Sequence, residues 1–427
     1  MGYISQLLSS NSPSSNSSVR TITLQGGTTG NADANQISSR SSKDKIQRVG
    51  RNSLETIYVK DPLAFTAVNK QVQMIMSADY EIKCKSKKYV KKYQKFFDNI
   101  GKIGEDLTLE ELFNYIFKFQ LIYGNAYVEI VYNKTGDKVV DLALIDPKKI
   151  DFARDNDGKV IIRSDGKPLG YVITTPIGKS AEKTDEIPEK YKRSIDMDSG
   201  DIFIEAGKVA HFKLYTYGDR HDGIGIIEPA YKSILYRMNI EEARTNFIYQ
   251  RANSPIVASV GDETHEPTPD DIDNVLENLS NLKTDRYLAN PYWVEIDSVD
   301  VSTAGDTTEA LNHLTENETA SLGMPKAFVT GSGEATNRAT LARQQKFLED
   351  TVMGYIRKTL ATFKKEILDV VQEENGIKEE AEIKWGDVGT ENLNEKSKRI
   401  VNYVDKEILS PEEVRTYVKN TENIDGD

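Results

Sequence analysis

Asp270, Asp271 and Asp273 crowd three carboxylates into one short stretch, and such a group could hold a hard divalent cation through oxygen ligands. Thr268 and Pro269 stand just before them, and threonine followed by proline is a helix-start signal, so the same carboxylates also suit the positive end of a helix dipole. The four histidines, His211, His221, His265 and His313, share no metal-ligand spacing. The single cysteine, Cys84, excludes a cysteine-based zinc site and an internal disulfide, and fits a reducing interior. It lies at the end of a short extended segment, where a small half-buried residue fits as well as a reactive thiol. His211, within Val209-Ala210-His211-Phe212, reads as a packed structural histidine.

Glycines that could cradle phosphate occur at Gly331-Ser332-Gly333. No lysine follows and no strand precedes, so this is not a nucleotide-binding loop. A Gly-x-Ser-x-Gly elbow is also missing. The residues therefore point to no catalytic group, no metal and no cofactor, and the expectation is a protein that is not an enzyme.

Position must come from the elements around them. Ile227, Tyr231, Ile234, Leu235 and Met238 recur at steps of three and four, which predicts an amphipathic helix from about Ile226 to Ala252, stopped by Ser254-Pro255. Ile256–Val260 reads as a strand, Thr268-Pro269 opens a helix carrying Ile272, Val275, Leu276 and Leu279, and Arg286–Val301, with Trp293, reads as extended chain. Asp306 and Glu309 resemble a capping box for a second long helix with Leu311 and Leu314 inside, and Gly323 stands at the C′ position before Pro325. A third periodic run spans Arg338–Glu374, interrupted in register only by Gly354.

The first 45 residues are rich in Ser, Asn, Thr and Gly without periodicity, the composition of a flexible arm. Asp61-Pro62 starts a helix and Tyr80–Lys83 reads as a strand. Lys83–Lys95 interleaves lysines with Tyr89, Val90, Tyr93 and Phe96, either a solvated helix face with an apolar back or a nucleic-acid patch. Thr108 and Glu111 form a capping box, and Gly124 ends that helix. Alternating runs at Ala126–Tyr132, Val139–Ile145, Val160–Arg163 and Leu169–Thr174 predict one antiparallel sheet, closed by Val209–Leu214, with an exposed polar loop at Ile177–Gly200. This is an α+β region. Near the end, Ile383-Lys384-Trp385 precedes a helix through Val401 and Val404, and Ser410-Pro411-Glu412-Glu413 opens another.

At 427 residues the chain suggests two to three domains, and 38% hydrophobic residues support a core but no membrane span of about 18 uncharged apolar residues. Met1-Gly2-Tyr3-Ile4 lacks the basic and apolar regions of a secretion signal, and Gln6 breaks the myristoylation pattern. A net charge of -12 argues against tight duplex binding by the chain as a whole.

Gly124-Asn125-Ala126-Tyr127-Val128-Glu129-Ile130, Leu144-Ile145-Asp146-Pro147, Val209-Ala210-His211-Phe212, Gly223-Ile224-Gly225, Glu228-Pro229, Leu322-Gly323-Met324-Pro325, Asn337-Arg338-Ala339-Thr340 and Ile408-Leu409-Ser410-Pro411-Glu412-Glu413-Val414-Arg415 follow in that order. In this order the chain, from about Leu54 to Val418, resembles portal proteins of tailed double-stranded DNA viruses. The resemblance implies an α+β portal fold: arm 1–45, α+β wing 46–225, stem helix 226–253, small α/β clip 254–303, second stem helix 304–323, tunnel loop 324–337, long helix 338–374 and helical crown 375–427. It implies a ring of twelve copies at one capsid vertex of the virion, assembled in the host cytoplasm, with no membrane partner. Expected partners are double-stranded DNA, the terminase packaging ATPase, the major capsid protein and a head-tail adaptor.

By the same resemblance, Thr330, Gly331, Ser332, Gly333, Glu334, Ala335, Thr336, Asn337 and Arg338 would face DNA, although a plain flexible connector fits the glycines too. Asp262, Glu263, Glu266, Asp270, Asp273, Arg286 and Trp293 would present the clip to motor and adaptor. Two other classes remain open on sequence: a head-tail adaptor or other virion structural protein, and a DNA-processing enzyme.

Overall fold

The computed structural model describes residues 48–101, 107–174, 185–192, 195–197, 200–218, 220–252, 256–261, 266–280, 293–298, 307–330, 338–386, 388 and scattered positions between 401 and 415. These fall into two units, a larger one within Ser39–Tyr231 and Thr319–Asp427, and a smaller one within Lys232–Glu318.

In the larger unit, α1 (Arg51–Lys60) and α2 (Pro62–Met76) are parted by Asp61 alone, whose buried carboxylate accepts the Ala64 amide while Pro62 takes the first helical position. β1 (Tyr80–Lys83) and α3 (Lys87–Phe97) lead to α4 (Leu109–Tyr123). The capping box expected for α4 is present: Thr108 Oγ1 accepts the Glu111 amide at 3.2 Å, and Glu111 Oε2 accepts the Thr108 amide at 2.9 Å. Gly124 closes the helix in the left-handed region, at φ 78°.

Six strands follow: β2 (Asn125–Tyr132), β3 (Val139–Ile145), β4 (Ile150–Phe152), β5 (Gly170–Ile173), β6 (Ile202–Glu205) and β7 (Val209–Lys213). They form two antiparallel sheets, β3-β2-β7 and β4-β5-β6, where strand spacing suggested one. The run Val160–Arg163 joins only through isolated bridges, Arg154↔Val160 and Ile162↔Pro168. β4 and β6 are too short for a period of two to stand out in sequence. Tyr127, Phe152, Tyr171, Ile204 and Val209 share one buried cluster that packs strands of the two sheets together.

α5 (Ile227–Ala252) ends just before the proline that should stop it. Then come β8 (Ile256–Val260), α6 (Pro269–Ser280), β9 (Val294–Ser298) and α7 (Thr308–Ser321). This strand, helix, strand order between two helices is the one read from sequence; Asp306, expected to cap α7, lies outside the described residues. At the end of α7, Gly323 adopts φ 67°, its amide donates to the Ala320 carbonyl and the Met324 amide to the Thr319 carbonyl, a Schellman closure.

α8 (Lys326–Thr330), α9 (Arg338–Phe363) and α10 (Asp369–Glu374) follow in the larger unit. α9 buries Leu348, Val352, Tyr355, Ile356 and Phe363. Gly354 does not break it. The register changes instead at Lys364–Leu368, a single π turn that brings Ile367, Leu368 and Val371 into the core. β10 (Glu382–Trp385) pairs antiparallel with β1, from Tyr80↔Trp385 to Lys83↔Glu382. Trp385 stacks on Tyr80 at 5.0 Å, meets Phe113 edge-on at 5.1 Å and donates its indole N–H to the Ile75 carbonyl at 3.0 Å. Farther on, the Val414 amide donates to the Ser410 carbonyl at 3.1 Å, the geometry of a helix start at Ser410.

Candidate functional site

The start of α5 is fixed by a knot of backbone and polar side chains in the larger unit. Gly124, Gly223 and Gly225 bring two chain segments so close that a Cβ on Gly223 would lie 2.1 Å from the Gly124 carbonyl oxygen, and one on Gly225 would lie 2.5 Å from that of Ile122. Asn125 closes the crossing. Its Oδ1 accepts the Gly223 amide at 2.7 Å and its Nδ2 donates to the carbonyls of Tyr123 and Gly223 at 3.0 and 3.1 Å.

The same Oδ1 lies 2.9 Å from His211 Nε2, and an amide oxygen only accepts, so Nε2 carries the proton and Nδ1 accepts from the Tyr171 hydroxyl at 3.1 Å. The imidazole also stacks on Tyr127 at 4.4 Å. Burial, then the charge of Lys213, hold His211 well below the usual histidine range. It is a neutral structural histidine. Arg48 adds a fork onto Glu228 in the first turn of α5 and reaches Asp222 and the Gly223 carbonyl.

β7 is an edge strand, and the α9 side covers it. Glu366, on the π turn, accepts the His211 amide at 2.7 Å, Lys358 donates to the Leu214 carbonyl, and the Tyr355 and Tyr215 hydroxyls meet at 2.9 Å. Burial pushes the Glu366 carboxyl above its ordinary range.

In the smaller unit α5 and α7 are joined by charge. Arg237 Nε lies 2.8 Å from Glu318 Oε2 and Nη2 lies 3.4 Å from Oε1, with Glu318 fully buried and Arg237 nearly so; Nη1 reaches Glu241 at 2.8 Å. Beyond them β8 and β9 pair in register from Ile256↔Ser298 to Val260↔Val294, and the Gly261 amide donates to the Trp293 carbonyl at 2.9 Å. Thr268 and Asp271 cap α6 reciprocally: Thr268 Oγ1 accepts the Asp271 amide at 3.4 Å and Asp271 Oδ2 accepts the Thr268 amide at 3.0 Å.

Of the residues expected to present a docking face, Glu266, Asp270 and Asp273 are exposed around the start of α6 and Trp293 is half-buried at the foot of β9. Asp262, Glu263 and Arg286 lie outside the described residues. So do Gly331, Ser332, Gly333, Glu334, Ala335, Thr336 and Asn337; Thr330 ends α8 and Arg338 begins α9 on either side of them. Among the described residues, no group of three His, Cys, Asp or Glu is placed to hold a metal ion, and no helix is long and apolar enough to cross a membrane. Cys84 is half-buried, and burial pushes its thiol upward.

Sequence reasoning gave no role to Arg48, Arg237, Glu318 and Glu366, and quoted Asn125 only within a motif. Two left a signal. Arg237 continues the buried line Ile227, Ala230, Ile234, and Glu318 continues Leu311, Leu314, so charges on apolar stripes marked a buried pair.

An α+β body whose sheets feed a long helix, a strand-helix-strand excursion and a returning helix defines a portal-type fold. The family model described as the portal protein of Mu bacteriophage matches residues 52–421, and the chain belongs to this family of phage portal proteins, which are structural components of the virion. No curated protein matches the chain. Among solved structures it is similar to a chain in the neck of a native gene transfer agent particle computed with C12 symmetry, at TM-score 0.59 and 15% identity over 87% of this chain and 95% of that one. It is also similar to a chain in the virion of the native gene transfer agent, at TM-score 0.59 and 14% identity over 88% and 96%. At such identities the likeness is one of fold.

Proposed function

We propose that this chain is the subunit of a portal ring, a conduit for double-stranded DNA during packaging and ejection at one capsid vertex. The observation that carries the proposal is the portal-family match across residues 52–421. The helix, the strand-helix-strand segment and the helix of α5 to α7 support it. Twelve copies close around an axis by a heterologous interface, in keeping with the C12 symmetry of the similar neck structure. α5 and α7 form the stem, and the Arg237–Glu318 pair keeps them in register as the wall of the passage. The β8–β9 pair and α6 form the clip, with Glu266, Asp270 and Asp273 in the face that docks the packaging ATPase and later the head-tail adaptor. The loop from Thr330 to Arg338 narrows the passage, residues 375–427 form the crown, and the major capsid protein surrounds the wing. The ring does no bond chemistry; the ATPase supplies the energy.

Removal of Gly331–Glu334 tests the loop assignment. The expected result is intact rings with impaired packaging or genome retention, and normal packaging by the deleted protein would refute it.

A further inference from the structure

α3, KKYVKKYQKFF, carries Lys87, Lys88, Lys91, Lys92 and Lys95, all exposed, with exposed Lys85 just before it. α3 contains no acidic residue, and among the described residues none of these six lysines lies within ion-pair distance of a carboxylate. At 3.6 residues per turn the five helical lysines fall within an arc of about 140°, and Tyr89, Val90, Tyr93, Phe96 and Phe97 fall within about 120° on the opposite side. Tyr93 and Phe97 are buried, and the Tyr93 hydroxyl donates to the Glu379 carbonyl at 3.1 Å, so the apolar back is bolted to the larger unit.

Helix physics does not ask for this arrangement. Lys87 and Lys88 occupy the first turn, at the positive end of the dipole where cations are disfavoured, and Ser86 offers no side-chain cap. Lys87 with Lys91, Lys88 with Lys92 and Lys91 with Lys95 set like charges one turn apart. A merely solvated face is served better by mixed charge. Here an acidic chain, at net -12, gathers positive charge on one surface with no carboxylate partner among the described residues; only Lys92 has a ring contact, 5.4 Å above Tyr89.

The chemistry of the arc selects its partner. A membrane needs an apolar face to insert, and on that face of α3 Tyr93 and Phe97 are buried while Tyr89, Val90 and Phe96 are half-buried. Protein interfaces are anchored by aromatic residues and arginine and are depleted in lysine, whereas this arc holds lysine alone. Compact ammonium charges on flexible stems match phosphates without geometric demand. We infer that the lysine face of α3 binds the phosphate backbone of duplex nucleic acid without reading its sequence. The inference stands apart from the portal reading: rings without binding would sink it alone, and binding without rings would sink only the other.

The test is fluorescence anisotropy of a short mixed-sequence DNA duplex with the full chain, at 50 and 200 mM salt. Five phosphate contacts give a log-log salt slope of about -4.5, a loss of roughly 500-fold in affinity across that range. K87Q/K88Q/K91Q/K92Q/K95Q keeps helix propensity and removes the charges, so affinity at low salt should drop by about 100-fold or more and the slope should flatten. K88Q/K92Q, the milder change, should reduce the slope by about 1.8. A control with Lys60, Lys70, Lys138, Lys159 and Lys190, exposed lysines on other segments, changed to Gln should keep both affinity and slope. The inference is overturned if the wild type fails to bind duplex at 50 mM salt, if the control loses as much as the α3 variants, or if poly-glutamate binds the wild type more tightly than duplex does.

Discussion

Arg237 grips Glu318 through two guanidinium nitrogens, at 2.8 and 3.4 Å, in a setting where the glutamate has no exposure to solvent. A buried pair of this kind contributes less to stability than to uniqueness, because only one register of α5 against α7 brings the two charges together. Arg237→Ala leaves the Glu318 charge uncompensated and should cost about 3–5 kcal/mol, while R237M/E318L, which removes both charges, should recover most of that loss. Hydrogen exchange along Lys232–Ala252, measured against denaturant, reads the difference.

Much of this arrangement was legible in sequence. Caps at Asp61, Thr108 and Thr268, and stops at Gly124 and Gly323, appear where local chemistry demands them, because such signals act over three or four residues. The second sheet was not legible. β4 and β6 are held by partners distant in sequence, and three or four residues carry too little alternation to announce a strand. The π turn was likewise hidden, since Lys364–Leu368 has ordinary helical composition and the partner of Glu366, the His211 amide, lies far away in sequence.

Gly223→Ala drives a methyl group to 2.1 Å from the Gly124 carbonyl oxygen, where only backbone can give way. The expected cost is about 3 kcal/mol or more. Gly136→Ala meets nothing within 4 Å and suffers only its left-handed backbone, at φ 77°, for about 1–2 kcal/mol. Thermal unfolding of the two variants should rank them in that order.

His211 is buried neutral, so its folded pKa lies well below the ordinary 6.5 while the unfolded chain takes up a proton near that value. Its contribution to stability is complete above pH 6.5 and is lost as pH falls below it, by up to about 1.4 kcal/mol per unit. Burial raises the Glu366 and Glu129 carboxyls, which act in the opposite sense as pH falls toward 4.5. The histidine slope is therefore cleanest just below 6.5. In His211→Gln, denaturation midpoints should lose that slope.

Glu366→Ala removes the acceptor of the His211 amide and uncovers one edge position of β7. Exchange at the His211 amide should accelerate, while Glu366→Gln, whose side-chain oxygen still accepts, should keep it slow.

The most direct test of the central claim is the mass of the purified assembly, combined with images taken down its axis. A twelve-fold multiple of the chain mass, closed around an opening wide enough for duplex DNA, is the predicted result. A protein that remains a monomer under all conditions, capsid assembly included, would contradict it.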